Sequence, residues 1–251
     1  MKTRAKVISV CSQKGGVGKT TTALALSASF VLAGKSTLVI DIDPNAHISA
    51  ILSKDSAQYT KTSADLLMKK FYSHNIIISQ AMPVHYIPGG DGLVQYEKKD
   101  PFFKKSWYGR LRKKISRFDY DYIIIDTPTT IGSLLYTAVC ASDLTVIPVQ
   151  PELSSLKGLG LFLKTAKSLK KYMPDGFDYT ILFTNVVYTP ERKTAIDSFF
   201  KSKIGKKCST EIIEHDCAFI DELFSCNPDT GRLSSSVTFQ KYNKVSERFF
   251  I

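Results

Sequence analysis

No run in this 251-residue chain approaches the ~20 consecutive apolar residues that cross a bilayer, so no membrane-spanning segment is expected. Nothing resembling a secretory leader stands before the first apolar run, and a cytoplasmic location is the expectation. The cysteines are few and unpaired: Cys11, Cys140, Cys208, Cys217 and Cys226 form no C-x-x-C motif. An odd count in a reducing compartment reads as free thiols, and the nine-residue spacing of the last three reads as coincidence. There is no internal repeat and no low-complexity linker. Negative charge is also short, with 23 Asp+Glu against 34 Lys+Arg and a formal net charge of +11. That excess attracts polyanions such as DNA or an acidic membrane surface.

What is present is an alternation of apolar strand-like runs with helical segments over a length that suits a single domain, residues 1–251. The fold class expected is α/β, a mostly parallel sheet flanked by helices. Strands are predicted at Val7–Cys11, Thr37–Asp41, Val84–Pro88, Tyr122–Asp126, Thr145–Val149 and Tyr179–Thr184. Helices are predicted near Thr20–Ala33, Thr62–Tyr72, Phe102–Arg117, Gly132–Cys140, Leu153–Tyr172, Arg192–Lys203, Ala218–Ser225 and Thr238–Phe250. Gly89-Gly90-Asp91-Gly92 reads as a turn after a strand.

Lys14-Gly15-Gly16-Val17-Gly18-Lys19-Thr20-Thr21 lies between the first strand and the first helix. Glycines let successive N–H groups turn inward around phosphate oxygens, and the helix adds its positive N-terminal dipole. Lys19 reaches β- and γ-phosphates in such a loop, and the Thr20 hydroxyl can hold Mg²⁺. A nucleoside triphosphate is therefore the expected ligand. Two apolar strands further on close in carboxylates at the edge where a parallel sheet presents its ligands. One is Leu38 to Asn45, with Asp41 and Asp43. The other is Tyr122 to Pro128, with Asp126 as a Walker B aspartate that binds Mg²⁺ through water. Either member of the first pair could instead be a helix cap or turn former.

The usual phosphate-loop glycine is replaced by Gln13, and a second lysine, Lys14, heads the loop. This arrangement resembles the deviant Walker A motif, K-G-G-x-G-K-[ST], of the ParA/MinD ATPases, and is most similar to the short Soj-type partition members. The resemblance covers residues 7 to about 190 and implies a P-loop NTPase fold, ATP and Mg²⁺ as ligands, and slow hydrolysis. It implies an ATP-bound homodimer in which Lys14 reaches the partner's nucleotide. Asp43 sits where the D-x-D-P-Q motif of the family positions water and the Mg²⁺ shell, although Asn45 replaces its glutamine. Thr129 replaces the second proline of D-x-P-P. Asn185 falls where relatives hydrogen-bond adenine, and Pro151 lies in a segment like the one flanking that pocket. After residue 190 the likeness fades, with Ile212-Ile213-Glu214-His215-Asp216 where a proline-containing loop is usual.

Short partition ATPases bind DNA non-specifically and are stimulated by a ParB-like centromere-binding protein, so a nucleoid-associated protein is implied. Candidate DNA contacts are Lys201, Lys203, Lys206 and Lys207, together with Lys241, Lys244 and Arg248, which share one helical face. A second basic block, Lys98 to Arg117, interleaves cations with Phe103, Trp107 and Leu111 and reads as a helix packed on the sheet. The alternative function is a MinD-like or flagellar-regulator-like positioning ATPase acting on a protein or membrane complex. The terminal helix is only mildly amphipathic, so membrane anchoring is not expected. With the first strand predicted at Val7, the helix-turn-helix of longer partition ATPases is not expected.

Overall fold

Strands buried on both faces must be apolar throughout, and that is what the central runs provide. A computed structural model describes residues 4–53, 59–99, 108–173, 176–225 and 232–250. Its strands are β1 (Lys6–Val10), β2 (Thr37–Asp41), β3 (Ile77–Ile78), β4 (His85–Ile87), β5 (Tyr122–Asp126), β6 (Leu144–Val149), β7 (Tyr179–Val186) and β8 (Cys208–Glu214). Every residue of β2, β5 and β6 is buried. The helices are α1 (Lys19–Leu32), α2 (His47–Ser53), α3 (Ser63–Met68), α4 (Gly92–Lys99), α5 (Arg110–Ile115) and α6 (Ser133–Ala141). They continue with α7 (Leu153–Ser168), α8 (Pro190–Lys201), α9 (Cys217–Ser225), α10 (Arg232–Ser235) and α11 (Val237–Glu247).

The eight strands form one sheet in the order β3-β4-β2-β5-β1-β6-β7-β8. All neighbours are parallel except the short β3–β4 pair. The chain winds from β1 toward one edge and later crosses β1 to build the other. A crevice therefore opens beside the carboxyl end of β1, where open α/β sheets bind ligands.

One apolar layer joins α1, α9 and α11 to the sheet; the opposite face packs against α3 to α6 and, further along, α7 and α8. Inside the first layer Phe30 stacks on Tyr122, with ring centroids 3.9 Å apart and planes 4° from parallel. Both side chains are fully buried.

Four of the six predicted strands differ from the observed ones by at most two residues at either end, and Thr37–Asp41 and Tyr122–Asp126 match outright. β8 was not foreseen. It is an edge strand with mixed burial and an irregular register against β7, so its sequence lacks a clean period. The helix predicted to run to Tyr72 stops at Met68, because the Lys114 ammonium donates to the carbonyls of Leu66 (2.5 Å), Leu67 (3.3 Å) and Lys69 (2.8 Å) and satisfies its last turn. Of the helix predicted over Phe102–Arg117, Arg110–Ile115 is observed, while residues 100–107, including Phe103 and Trp107, lie outside the described residues.

Truncating a buried, stacked phenylalanine removes its transfer energy and leaves a cavity. Phe30→Ala is expected to lower stability by about 3–5 kcal/mol. Urea unfolding followed by circular dichroism checks this: the midpoint should drop with the slope unchanged. A loss below about 1 kcal/mol would show that the stack contributes little to the core.

Candidate functional site: a nucleotide cleft at the strand ends

Backbone geometry builds the floor of the cleft. Gly16 and Gly18 have φ of 71° and 81°, left-handed values that cost a side-chain-bearing residue strain. Gly18 is also the N-cap of α1, so the loop runs straight into the amino end of a 14-residue helix. Val17 is fully buried and offers only its backbone; its carbonyl accepts from the Thr184 hydroxyl at 2.6 Å. Gly15, Gly16, Gly18, Lys19, Thr20 and Thr21 all line a cleft of about 480 Å³.

The carboxylates stand at the ends of neighbouring strands, where Asp41 and Asp126 are register partners in β2 and β5. The Thr20 hydroxyl donates to Asp126 Oδ2 at 3.0 Å. Asp126 Oδ1 is buried with no hydrogen-bond partner among the described residues. Burial, reinforced by the nearby charge of Asp41, pushes the Asp126 carboxyl well above the usual carboxylate range. An orphaned buried oxygen beside a threonine hydroxyl fits a divalent cation, whose charge would replace the missing partner. Among the described residues no group of three His, Cys, Asp or Glu side chains could hold a metal alone. A cation here would therefore take its remaining ligands from phosphate oxygens and water, as Mg²⁺ does.

Asp41 takes the cap role: Oδ1 accepts from the Asp43 N–H (2.9 Å), and Oδ2 from the Ser49 N–H (3.1 Å) and hydroxyl (2.5 Å). Burial raises its pKa despite those bonds. The brace presents Asp43 at the cleft wall, where Oδ1 accepts from both the N–H and the side-chain amide of Asn45. Gly89 backs this loop closely; a Cβ there would lie 2.7 Å from the Asp43 carbonyl and 2.9 Å from the Asp41 carboxyl carbon. The Lys19 ammonium reaches back to the Lys14 carbonyl at 3.4 Å, and burial lowers its pKa against the pull of Asp126 and Asp43.

Lys14 points elsewhere. Its ammonium donates to Gln150 Oε1 (2.8 Å) and to Glu152 Oε2 (2.5 Å), and Glu152 is held in turn by Arg192 at 2.9 Å. These contacts keep Glu152 below its ordinary range, the Lys14 hydrogen bond contributing most. Lys14 lines a separate hollow of about 210 Å³ beside α7, and not the cleft.

At the far rim, Asn185 lines the cleft with φ of 54°, and its amide donates to the Gly16 carbonyl at 3.2 Å. Its carbonyl oxygen meets His215 Nδ1, and His215 Nε2 meets the Cys217 thiol at 3.1 Å. Asn45 and Thr129, the two departures from the family motifs, also line the cleft, while His215, Cys217 and His47 are cleft residues that no local motif announced; the first two of these stand in the segment where the family pattern had faded. Pro151 is buried and is not among the residues lining the cleft. Both non-glycine residues with positive φ among those described, Ala46 and Asn185, sit beside this site.

A family model described as an AAA domain matches residues 5–178. The sporulation initiation inhibitor protein Soj of Bacillus subtilis is 31% identical over 208 residues, spanning 80% of this chain and 82% of that one. The chromosome-partitioning ATPase Soj of Treponema pallidum is 30% identical over 209 residues, spanning 79% and 80%. The chain belongs to the ParA/Soj family of deviant Walker A ATPases. In fold it also matches the cobyrinic acid a,c-diamide synthase of Mycobacterium smegmatis, solved with ADP and magnesium. There the TM-score is 0.81 at 21% identity, covering 98% of this chain and 94% of the other. A ParA-type loop, a Walker B aspartate and P-loop ATPase relatives together make this a nucleotide-hydrolysing family member, while the enzyme likeness shows that the fold alone does not name the task.

The seven candidate DNA contacts divide. Lys201, Lys203, Lys206, Lys207, Lys244 and Arg248 are exposed, Lys207 pairing with Asp178 at 2.7 Å. Lys241 is partly buried and pairs with Glu214 at 3.0 Å near the cleft. In the second basic block, Arg112 is buried, donating to the Ala141 carbonyl and pairing with Asp143, and Lys114 caps α3. Those two cations are structural.

The native carboxyl of Asp126 holds its proton at pH values where the unfolded one has lost it. Folding without ligand therefore loses stability as pH rises from the ordinary carboxylate range toward the raised value. Asp126→Asn, which keeps an acceptor for Thr20, should raise the apo melting temperature more at pH 8 than at pH 5, while losing the stabilisation given by Mg²⁺-nucleotide. Equal shifts at both pH values, or a drop at pH 8, would contradict the assignment of a strained buried charge.

Proposed function

We propose that the chain is a slow, Mg²⁺-dependent ATPase that dimerises on ATP and acts as a switch in DNA partition, of a plasmid or a chromosome, with a ParB-like activating partner. The observation that carries this reading is the direction of Lys14. A lysine built into the phosphate loop, yet turned out of its own cleft, is free to serve a nucleotide held by a second copy once it leaves Glu152. The Soj relatives supply the rest of the context.

The chemistry is positioning and charge neutralisation. Loop amides from Gly15 to Thr21 and the Lys19 ammonium hold the phosphates, and Asn185 borders the base. Bound Mg²⁺, held through Thr20 and Asp126 with Asp43 near its water shell, would neutralise phosphate charge. Asp43 orients the attacking water, and no stronger general base is needed for a slow switch. The +11 charge supports non-specific binding of DNA phosphates by the exposed lysines.

Lys14→Ala is expected to leave nucleotide binding largely intact while reducing turnover at least ~10²-fold, the scale of losing one charge-stabilising donor. Steady-state phosphate release checks this, and unchanged turnover would reject the cross-subunit role. Co-sedimentation with non-specific DNA, with a non-hydrolysable ATP analogue and without nucleotide, at two salt concentrations tests the partition reading. Analogue-dependent, salt-sensitive binding supports it. Binding to anionic vesicles with none to DNA would overturn it in favour of a positioning ATPase.

A further inference from the structure

The hollow of about 210 Å³ that Lys14 borders is walled by the head of the phosphate loop, the end of β6 and one face of α7, and it shares no lining residue with the nucleotide cleft. We propose that this hollow binds a small carboxylate carrying a short apolar tail. The site is argued from its own walls; its effect on turnover rests on the cross-subunit role proposed for Lys14.

Two buried polar atoms in the wall, Gln13 Nε2 and Ser155 Oγ, have no hydrogen-bond partner among the described residues. Ser155 is only 4% exposed. Buried donors without partners are rare because each costs free energy, and both of these can donate to an anion. The amino end of α7 adds to them. The Leu156 N–H bonds the Glu152 carbonyl at 3.0 Å, so the amides of Leu153, Ser154 and Ser155 stand ahead of the helical ladder. The cap residue, Glu152, makes no side-chain cap bond, its carboxylate being turned to Lys14 and Arg192. No acidic residue lies in the first turn of α7, and none lines the hollow. One carboxylate therefore faces two cations here, beside the positive end of a 16-residue helix.

The rest of the wall is apolar. Ile147, Val149, Leu159 and Phe162 are all buried. Ser155, Gly158, Leu159 and Phe162 follow one another at i, i+3, i+4 and i+7, which places them on one face of α7. Gly158 keeps that face open, since a Cβ added there meets no atom within 4 Å. Glycine inside a helix is less stable than alanine, and here alanine would fit, so the gap is kept at the helix's expense. At roughly 30 Å³ for each water-sized group, the volume of about 210 Å³ admits about seven non-hydrogen atoms, which is a carboxylate on a four-carbon tail. Inorganic phosphate would answer the donors and leave the apolar wall uncovered. A neutral alcohol would cover the wall and leave the positive charge unanswered.

Lys14 connects this site to hydrolysis. Its ammonium rests on Gln150 Oε1 and Glu152 Oε2, at 2.8 and 2.5 Å. A second carboxylate beside it adds a further anchor, so the lysine leaves its own subunit less readily. Because hollow and cleft share no lining residue, the ligand slows turnover without weakening nucleotide binding.

The test is titration of the full chain with sodium pentanoate, followed by saturation-transfer NMR and calorimetry. Saturable one-to-one binding is expected, with 1-pentanol and pentylamine at least ~10-fold weaker, the scale of a lost charge-assisted hydrogen bond. Ser155→Ala should weaken pentanoate by roughly the same factor, and Gly158→Leu, which fills the hollow, should abolish binding. Both should keep wild-type affinity for an ATP analogue. Gly158→Ala adds one methyl group and suits the helix better; it should melt higher and shift the preference from pentanoate to butanoate. Saturating pentanoate should lower steady-state phosphate release several-fold at unchanged KM for ATP. No saturable binding to wild type, equal binding of 1-pentanol, or wild-type affinity in both Ser155→Ala and Gly158→Leu would each overturn the site. If pentanoate does not bind and Gly158→Leu blocks analogue-driven dimerisation, the hollow receives a side chain of the second copy and the proposal is overturned. Binding as described with turnover unchanged upholds the site and counts against the role given to Lys14.

Discussion

The hydrogen bond from Thr20 to Asp126 ties the first turn of α1 to the end of β5, and the rest of the site is arranged around it. It is possible only because β1 and β5 are parallel neighbours in register, which sets the phosphate loop beside the aspartate. The pairing leaves one carboxylate oxygen buried and without a hydrogen-bond partner among the described residues. The apo site is thus electrostatically incomplete. Burial penalises the charge that a cation would use, and ligand binding resolves the conflict. The left-handed backbone at Ala46 and Asn185 is the same kind of investment, conformational strain held in place by a well-packed sheet.

Much of this could be read from the chain before any coordinates, for a physical reason. The loop, the Asp43 strand and the Walker B strand are contiguous, and each couples an apolar run to a polar terminus, a pattern that a parallel sheet imposes on local sequence. The cleft's far wall was not legible. His215 and Cys217 reach the site because β8 lies beside β7 and carries them there, and β8, an edge strand with an irregular register, leaves only a faint period in the sequence. α2, at seven residues, is too short to show helical periodicity.

The cationic residues show the limit of composition most clearly. Arg112 and Lys114 look alike on paper, two charges in a basic block. One is a buried tie between α5 and the Ala141 carbonyl, the other a cap for α3. Their partners lie 29 and 45–48 residues away, so neither role has a local signature. Net charge predicts that a polyanion is attracted; which lysines remain available is decided by tertiary contacts. The same holds for Lys14, whose motif was plain but whose resting place against Gln150 and Glu152 was not.

α11 is fastened at its middle and just past its end. Midway along it Tyr242 shares a hydrogen bond with Thr22 in the first turn of α1, at 3.0 Å. Just past its carboxyl end the Phe249 carbonyl accepts from Lys6 and Tyr122, at 3.0 and 3.2 Å. Two such ties couple α11 to the helix that carries the phosphate loop and to the first residues of β1 and β5. A readjustment of α1 is therefore shared mechanically with the strand-start end of the sheet, through a contact between residues 220 apart in sequence.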